Sequence, residues 1–282
     1  MSILDFFKTL VNFKDEDFEE LPELPEGFRL SCPVTVSLTS TSERIDQVHQ
    51  TIESILNQEL KADKVILWLS QEPHLVDKGI NPEDLNASLR SLLNQGLEIR
   101  WTKNTGPYRK AIPILKESEA AGSVLVTADD DIVYPSDWLK NLVKYHVAFP
   151  GAIICYRGFY MKGFSEGKLT PYMRWKRDKG TEPSLSVFPT GKDGVLYPAN
   201  SFNQEVFNES KYMALAPTAD DVWLKAMSLL NHTCVKNITS HNKKDFPIIE
   251  GSNSKTLFQK NRKGNDGIIA AVFKEYNLVS PT

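Results

Sequence analysis

An α/β fold with a mostly parallel central sheet flanked by helices is predicted by two features of the sequence. Strand-like and helix-like segments alternate four times in the first half of the chain, the pattern of successive right-handed βαβ units. The segments KVILWL and VLV are apolar runs with no polar face, as expected of strands covered by helices on both sides. A chain of 282 residues has room for one large domain or two small ones. Residues 1–30 read as an amphipathic and acidic N-terminal segment. Residues 31–282 read as a single domain, with 31–157 and 158–282 as its two halves.

In the N-terminal segment Ile3, Leu4, Phe6, Phe7, Leu10, Val11 and Phe13 can form one apolar helical face. Packing against the domain is the expected role; peripheral attachment to a membrane surface is the alternative, with only Lys8 and Lys14 to meet anionic lipid. Pro22, Pro25 and Gly27 then read as a linker. Val34–Leu38 is the first strand, and Ser40 with Glu43 has the spacing of a capping box ahead of Ile45, Val48, Ile52, Ile55 and Leu56 at helical spacing. Lys64–Leu69 is the second strand. Asn81 and Pro82 have the form of a helix cap and first helical position, with Leu85, Leu89, Leu92 and Leu93 on one face. Leu97–Thr102 is the third strand, and a helical stretch broken or kinked near Pro113 leads to the fourth, Val124–Val126. A helix from Pro135–Asp137 to about Val147 and a strand at Ala152–Tyr156 follow. Residues 158–190 lack periodicity and are rich in aromatic and basic residues, a type of loop that is often functional. Ala216–Leu230 is a helix opening near its acids, Cys234–Ile238 a strand, and Asp266–Tyr276 a last helix behind a basic segment containing Lys255, Lys260, Arg262 and Lys263.

The bulk properties exclude several classes of protein. A net charge of −3 does not favour a nucleic-acid partner. Three scattered cysteines with no C-x-x-C point to a reducing compartment and not to a disulfide framework or thiolate zinc site. No apolar run approaches the roughly 18–20 residues of a spanning helix, and MSILDFFKTLVNF is neither a good signal peptide nor an anchor. The expected location is the cytoplasm, with the inner face of the cell membrane as the site of any peripheral association.

Chemistry concentrates in two acidic motifs. In VLVTADDDIVYPSDWL, Asp129, Asp130 and Asp131 stand at the carboxyl end of a buried strand, where open α/β sheets bind ligands. Three adjacent carboxylates call for compensation, and a hard divalent cation with oxygen ligands is the usual one; a solvated loop is the plain alternative. In APTADDVWLKAMSLL, Asp220 and Asp221 open a helix. They can serve as a base at the helix mouth or simply favour its dipole.

With VSLTS before a helix, the triplet, GKDGVLYP and TADDVWLKAMSLLN in this order, the chain resembles the GT-A-fold, sugar-nucleotide-dependent glycosyltransferases of the large family-2 type, in the variant found in bacterial surface-polysaccharide clusters. The resemblance covers about residues 33–245. It implies a Rossmann-like GT-A domain whose first half holds a nucleoside-diphosphate sugar, most simply a UDP-sugar, and whose second half holds a saccharide or glycolipid acceptor. It implies Mn2+ or Mg2+ at Asp131, with Asp129 as a further ligand and ribose contact and Asp130 beside it. It places Asp221 on the base of an inverting transfer, although Asp220 replaces the family's usual Glu and leaves the choice between the two open. Thr39, Ser40 and Arg44 fall where the family holds base and ribose, though Ser40 can also be a cap. Tyr108 and Lys110 fall near the nucleotide or its phosphates, with a solvated lysine as the alternative. Gly191 and Gly194 flank a short turn that lets backbone approach a sugar. His241 stands where some GT-A enzymes keep an additional metal ligand, and a surface histidine is the other reading. The rivals are a nucleotidyltransferase of sugar phosphates and a non-catalytic carbohydrate- or nucleotide-binding module. The first normally shows a glycine-rich basic loop after its first strand, which VSLTSTSER is not.

Overall fold

In the computed structural model the described residues are 21–161, 164–165, 168–179, 182–238, 246–251 and 257–278. The expected N-terminal helical face, His241 and Lys255 lie outside them. Four parallel strands form in the first half: β1 Val34–Thr39, β2 Lys64–Leu69, β3 Leu97–Trp101 and β4 Val124–Thr127. The second half adds β5 Ile153–Cys155, then β6 Gly158–Tyr160, β7 Phe164–Ser165, β8 Lys168–Leu169, β9 Lys176–Arg177 and β10 Val187–Pro189. It ends with β11 Val195–Tyr197 and β12 Val235–Asn237. The central sheet has the order β12-β5-β11-β4-β1-β2-β3. Every pairing in it is parallel except those of β11, which runs antiparallel to both β4 and β5.

Helices cover both faces. They are α1 Val48–Leu56, α2 Ala87–Ser91, α3 Ile112–Ala121, α4 Trp138–Ala148, α5 Glu209–Leu215, α6 Asp220–Leu230 and α7 Leu257–Glu275. On one face Val36, Leu38, Leu67, Val126 and Leu196 pack with Val48, Ile52 and Ile55 of α1 and Leu139, Leu142 and Val143 of α4. On the other, Ile66, Leu125, Cys155 and Val195 pack with Ile112 and Leu115 of α3, Val222 and Met227 of α6, and Val272 of α7. Neighbouring residues of one strand thus enter opposite clusters, which is why these strands carry no polar face. Each such aliphatic side chain, fully buried, contributes about 1.5–3 kcal/mol.

Several expectations are corrected. The capping box at Ser40 does not form: α1 begins at Val48, Gln47 makes no side-chain cap bond, and Ser40 is engaged elsewhere. Asn81 does form a capping box with Asp84, but it opens only a 3₁₀ turn, Pro82–Asp84. A separate cap, Asn86, accepting from the Leu89 N–H, then starts α2. The stretch near Pro113 is broken and not kinked: a 3₁₀ turn, Gly106–Lys110, ends just before α3, and Pro113 lies in the first turn of α3, where its missing N–H costs nothing. The last helix starts at Leu257, well before the expected Asp266. The small antiparallel sheet β10-β6-β9 and the β7-β8 hairpin fall in the stretch read as aperiodic, because strands of two or three residues are too short to show alternation. Cys32, Cys155 and Cys234 are all thiols, and among the described residues no helix is long and apolar enough to cross a membrane.

Candidate active site

The site begins at the carboxyl ends of β1 and β4, which leave the sheet side by side with Ser37 in register with Thr127. This register brings the chain after each strand into contact. The Ser40 hydroxyl donates to Asp130 Oδ2 at 2.6 Å, and Arg44 Nη1 donates to Asp130 Oδ1 at 2.6 Å and lies 3.2 Å from Asp131 Oδ2. Both Asp130 oxygens are therefore occupied from within the protein. Among the three side chains Asp129 is the most open, at 27% exposure against 8% and 14% for Asp130 and Asp131. A strap from the C-terminal part holds the loop from the other side: the Ile249 N–H donates to the Asp131 carbonyl and the Val133 N–H to that of Pro247, each at 2.9 Å. Burial, followed by the charges of Asp129 and Asp130, pushes the Asp131 carboxyl up to about 6.

The second acidic pair reaches the same place. Asp220 and Asp221 occupy the first turn of α6, and the Gly191 N–H donates to Asp221 Oδ1 at 3.0 Å. Lys110 joins the two motifs, its Nζ lying 2.9 Å from Asp129 Oδ1 and 3.5 Å from Asp220 Oδ2. Burial pushes Asp129 upward, but the Lys110 ammonium outweighs it and holds that carboxyl below its ordinary value. Asp221 goes the other way, to about 7, through burial first and then the Asp220 charge, with Lys110 and the Gly191 N–H only partly opposing. Two carboxylates in one pocket are thus driven apart in acidity, which suits one to stay charged and the other to exchange a proton near neutrality.

These groups line one cavity of about 480 Å3, which also takes in Thr39, Arg44 and Asp131. Other hydrogen bonds and contacts of the predicted residues brace it. Thr39 donates its hydroxyl to the Trp68 carbonyl. Tyr108 is fully buried and donates to the Ala216 carbonyl at 2.7 Å, fixing the approach to α6 from outside the cavity lining. Gly194 also lies off the lining. With φ +97°, it faces the Trp138 indole so closely that a Cβ would come within 2.6 Å of the ring, and Trp138 Nε1 donates to the neighbouring Asp193 carbonyl at 2.8 Å. Its smallness thus serves packing behind the 190–194 turn. Gly194→Ala is expected to cost about 2–3 kcal/mol through clash and a left-handed backbone, read as a lowered urea midpoint; an unchanged midpoint would show that Trp138 yields freely.

No protein-family model and no curated protein matches the chain. Solved structures do. The mannosyltransferase PcManGT from Pyrobaculum calidifontis, in complex with GDP-Man and Mn2+, aligns with a TM-score of 0.53 at 15% identity over 99% of this chain and 72% of its own. The fold is GT-A. Residues 1–349 of S. aureus TarS, in complex with UDP-GlcNAc, align with a TM-score of 0.49 at 13% identity, and this chain spans 80% of itself and 60% of that one. A 4-diphosphocytidyl-2C-methyl-D-erythritol synthase from Anaerococcus prevotii aligns with a TM-score of 0.45 at 13% identity over 85% of this chain and 95% of that one.

On this GT-A scaffold the carboxylates suit a cation in one mode only. Among the described residues no three His, Cys, Asp or Glu side chains converge as a closed cation cage. Asp130, Asp131 and Asp129 all line the cavity; each Asp130 oxygen already accepts one bond, from Ser40 or Arg44, which leaves Asp131 and Asp129 as the less engaged oxygen donors. One or two carboxylates completed by ligand phosphates and water is the ordinary arrangement for Mg2+ and its kin, and the residues present fit it.

Sequence reasoning passed over several lining residues. Asp77 accepts from Arg109 Nη2 and Asn104 Nδ2, each at 3.0 Å, and from the Ser42 N–H, fixing the loop after β2 against the loop after β1. Arg109 was legible beside Lys110 but carries no separate signature. Arg157, Phe159, Thr190, Lys192 and Asn265 also line the cavity; they come from four different loops and elements, so no local spacing could have grouped them.

Proposed function

We propose that this protein is a metal-dependent glycosyltransferase that moves a sugar from a nucleoside-diphosphate donor, a UDP-sugar by resemblance, to a hydroxyl of a saccharide or glycolipid acceptor with inversion. The observation that carries this reading is the convergence of two acidic motifs in one cavity, bridged by Lys110. Each motif alone is an unremarked loop or helix start; together they provide the two halves of a displacement. The 31–157 half would take the donor, with Thr39, Arg44 and the triplet toward the nucleotide, and the 158–282 half the acceptor.

Asp221 is the base. Pushed up to about 7, its carboxylate is basic enough to accept the proton of the attacking hydroxyl yet largely ionised just above neutrality. The Gly191 N–H holds one oxygen and leaves the other to the substrate. Lys110 keeps Asp129 ionised and ties Asp220 away from the proton transfer, which favours Asp221 over its neighbour. Asp131 and Asp129 would hold Mn2+ or Mg2+, which when bound neutralises charge gathering on a departing diphosphate. His241 lies outside the described residues and is given no role.

Thermal shift with UDP and with GDP, in the presence and absence of Mn2+, tests the donor half. The wild type is expected to gain several degrees with nucleotide plus Mn2+, about what a hundredfold excess over Kd supplies, and Asp131→Ala to lose most of that gain. A nucleotide shift indifferent to both Mn2+ and the substitution would refute the metal site. Release of nucleoside diphosphate from a donor sugar, accelerated by a hydroxyl acceptor, tests the reaction itself.

A further inference from the structure

The cations on the donor side of the cavity are all engaged: Arg44 with Asp130 and Asp131, Lys110 with Asp129 and Asp220, Arg109 with Asp77. Arg157 is different. It follows β5, lines the cavity, and rests its guanidinium on the Phe159 ring, 5.4 Å from the centroid. Its Nε is buried without a hydrogen-bond partner, and no ion pair to it forms among the described residues. Asn265, from α7, also lines the cavity; it is 8% exposed, and its Oδ1 is likewise buried and unpartnered. Its amide meets the Tyr172 phenol, a group pushed up to about 12 by burial first and then by the Asp221 carboxylate. This group of residues therefore lies within electrostatic reach of the base.

A buried donor and a buried acceptor left unmet are expensive for a protein to keep and are satisfied by water or, where they line a cavity, by a ligand. A stacked guanidinium with a buried, unpaired Nε and no ion-pair partner among the described residues is suited to an incoming oxyanion, which it binds by charge-assisted and bidentate bonds. We propose that the acceptor is an anionic saccharide, bearing a carboxylate or a phosphate, whose oxyanion is received by Arg157 while Asn265 Oδ1 accepts from a neighbouring hydroxyl. This rests on the transferase reading, and it deepens that reading by assigning the acceptor its chemical class. A neutral acceptor leaves the guanidinium unmet, so discrimination of roughly 10- to 100-fold is expected, the weight of one hydrogen bond to a charged group.

The test measures binding of methyl β-glucuronide, glucose 6-phosphate and methyl β-glucoside by calorimetry, on protein saturated with UDP or GDP and Mn2+. The wild type, Arg157→Gln and Arg157→Lys are compared. At least one anionic sugar should bind the wild type about tenfold or more tightly than the neutral glucoside, and which of the two does so separates carboxylate from phosphate. Arg157→Gln should erase the preference and Arg157→Lys retain part of it. Equal binding of neutral and anionic sugars by the wild type overturns the proposal, as does a preference that survives in Arg157→Gln. A loss of nucleotide affinity in Arg157→Gln also overturns it, by moving Arg157 to the donor. If the Gln variant does not melt cooperatively, the wild-type comparison and the Lys variant decide. Failure of the wild type to bind any nucleotide would strike the transferase reading instead.

Discussion

Asp221→Asn is expected to lower turnover by about 10²–10⁴-fold, the usual weight of a positioned general base, while nucleotide affinity stays near that of the wild type. The amide is nearly isosteric, and its Oδ1 can still accept the Gly191 N–H that now holds the carboxylate at 3.0 Å, so geometry survives and only basicity is lost. The pH dependence follows from the same group. Burial and the Asp220 charge raise its ordinary value to about 7, and the ionised form is the competent one. Turnover in the wild type should therefore fall as pH drops through about 7 and level off above it, whereas the residual activity of Asp221→Asn should lack that limb. Initial rates of nucleoside-diphosphate release from pH 5.5 to 9, with donor affinity by calorimetry, check both parts. Undiminished transfer by this variant sinks the base assignment, and a limb that persists in it transfers the role to Asp220.

The parallel strands of the first half were legible because they are long, apolar and separated by helices with recognisable faces; the structure begins and ends β2 at Lys64 and Leu69 as the sequence predicts. What escaped was short or borrowed its meaning from distant partners. β11 has three residues, and nothing local says that it inserts antiparallel between β4 and β5. α5 has seven residues with Tyr212 as its only buried side chain, too few for a helical period to stand out. Ser40 shows how a local rule can mislead: its spacing to Glu43 fits a capping box, yet the parallel register of β1 and β4 offers Asp130 as a charged partner, and a charge-assisted bond outcompetes a cap. The two acidic motifs were each visible. The bridge between them was not, since Lys110 lies on a third segment and only folding brings it to both.

That bridge predicts a large stability effect. Lys110→Met keeps the side-chain length and leaves the backbone tie in place, since the Lys110 carbonyl accepts from the Ser37 hydroxyl at 2.7 Å; only the ammonium is removed. Burial alone would lower the lysine's pKa, but Asp129, Asp220 and Asp221 hold it well above its ordinary value. A cation raised in this way contributes stability that is fully present at neutral pH and is lost only as pH climbs through its folded-state value. Removing it strands buried carboxylates without a countercharge, and breaking a buried pair from one side costs about 3–5 kcal/mol. A urea midpoint lowered accordingly at pH 8, with an unchanged slope, is the expected result. The deficit should shrink toward pH 4, because Asp129, held below its ordinary value by this partner first and by Arg44 and Lys192 after it, protonates and ceases to need one. The kinetic signature is separate. Lys110 is among the groups that restrain the rise of Asp221, so the acidic limb of any residual turnover should move above pH 7 in Lys110→Met. A midpoint and a limb that both stay where they are in the wild type would mean that the ammonium bridges nothing in solution, and that the two acidic motifs do not act as one site.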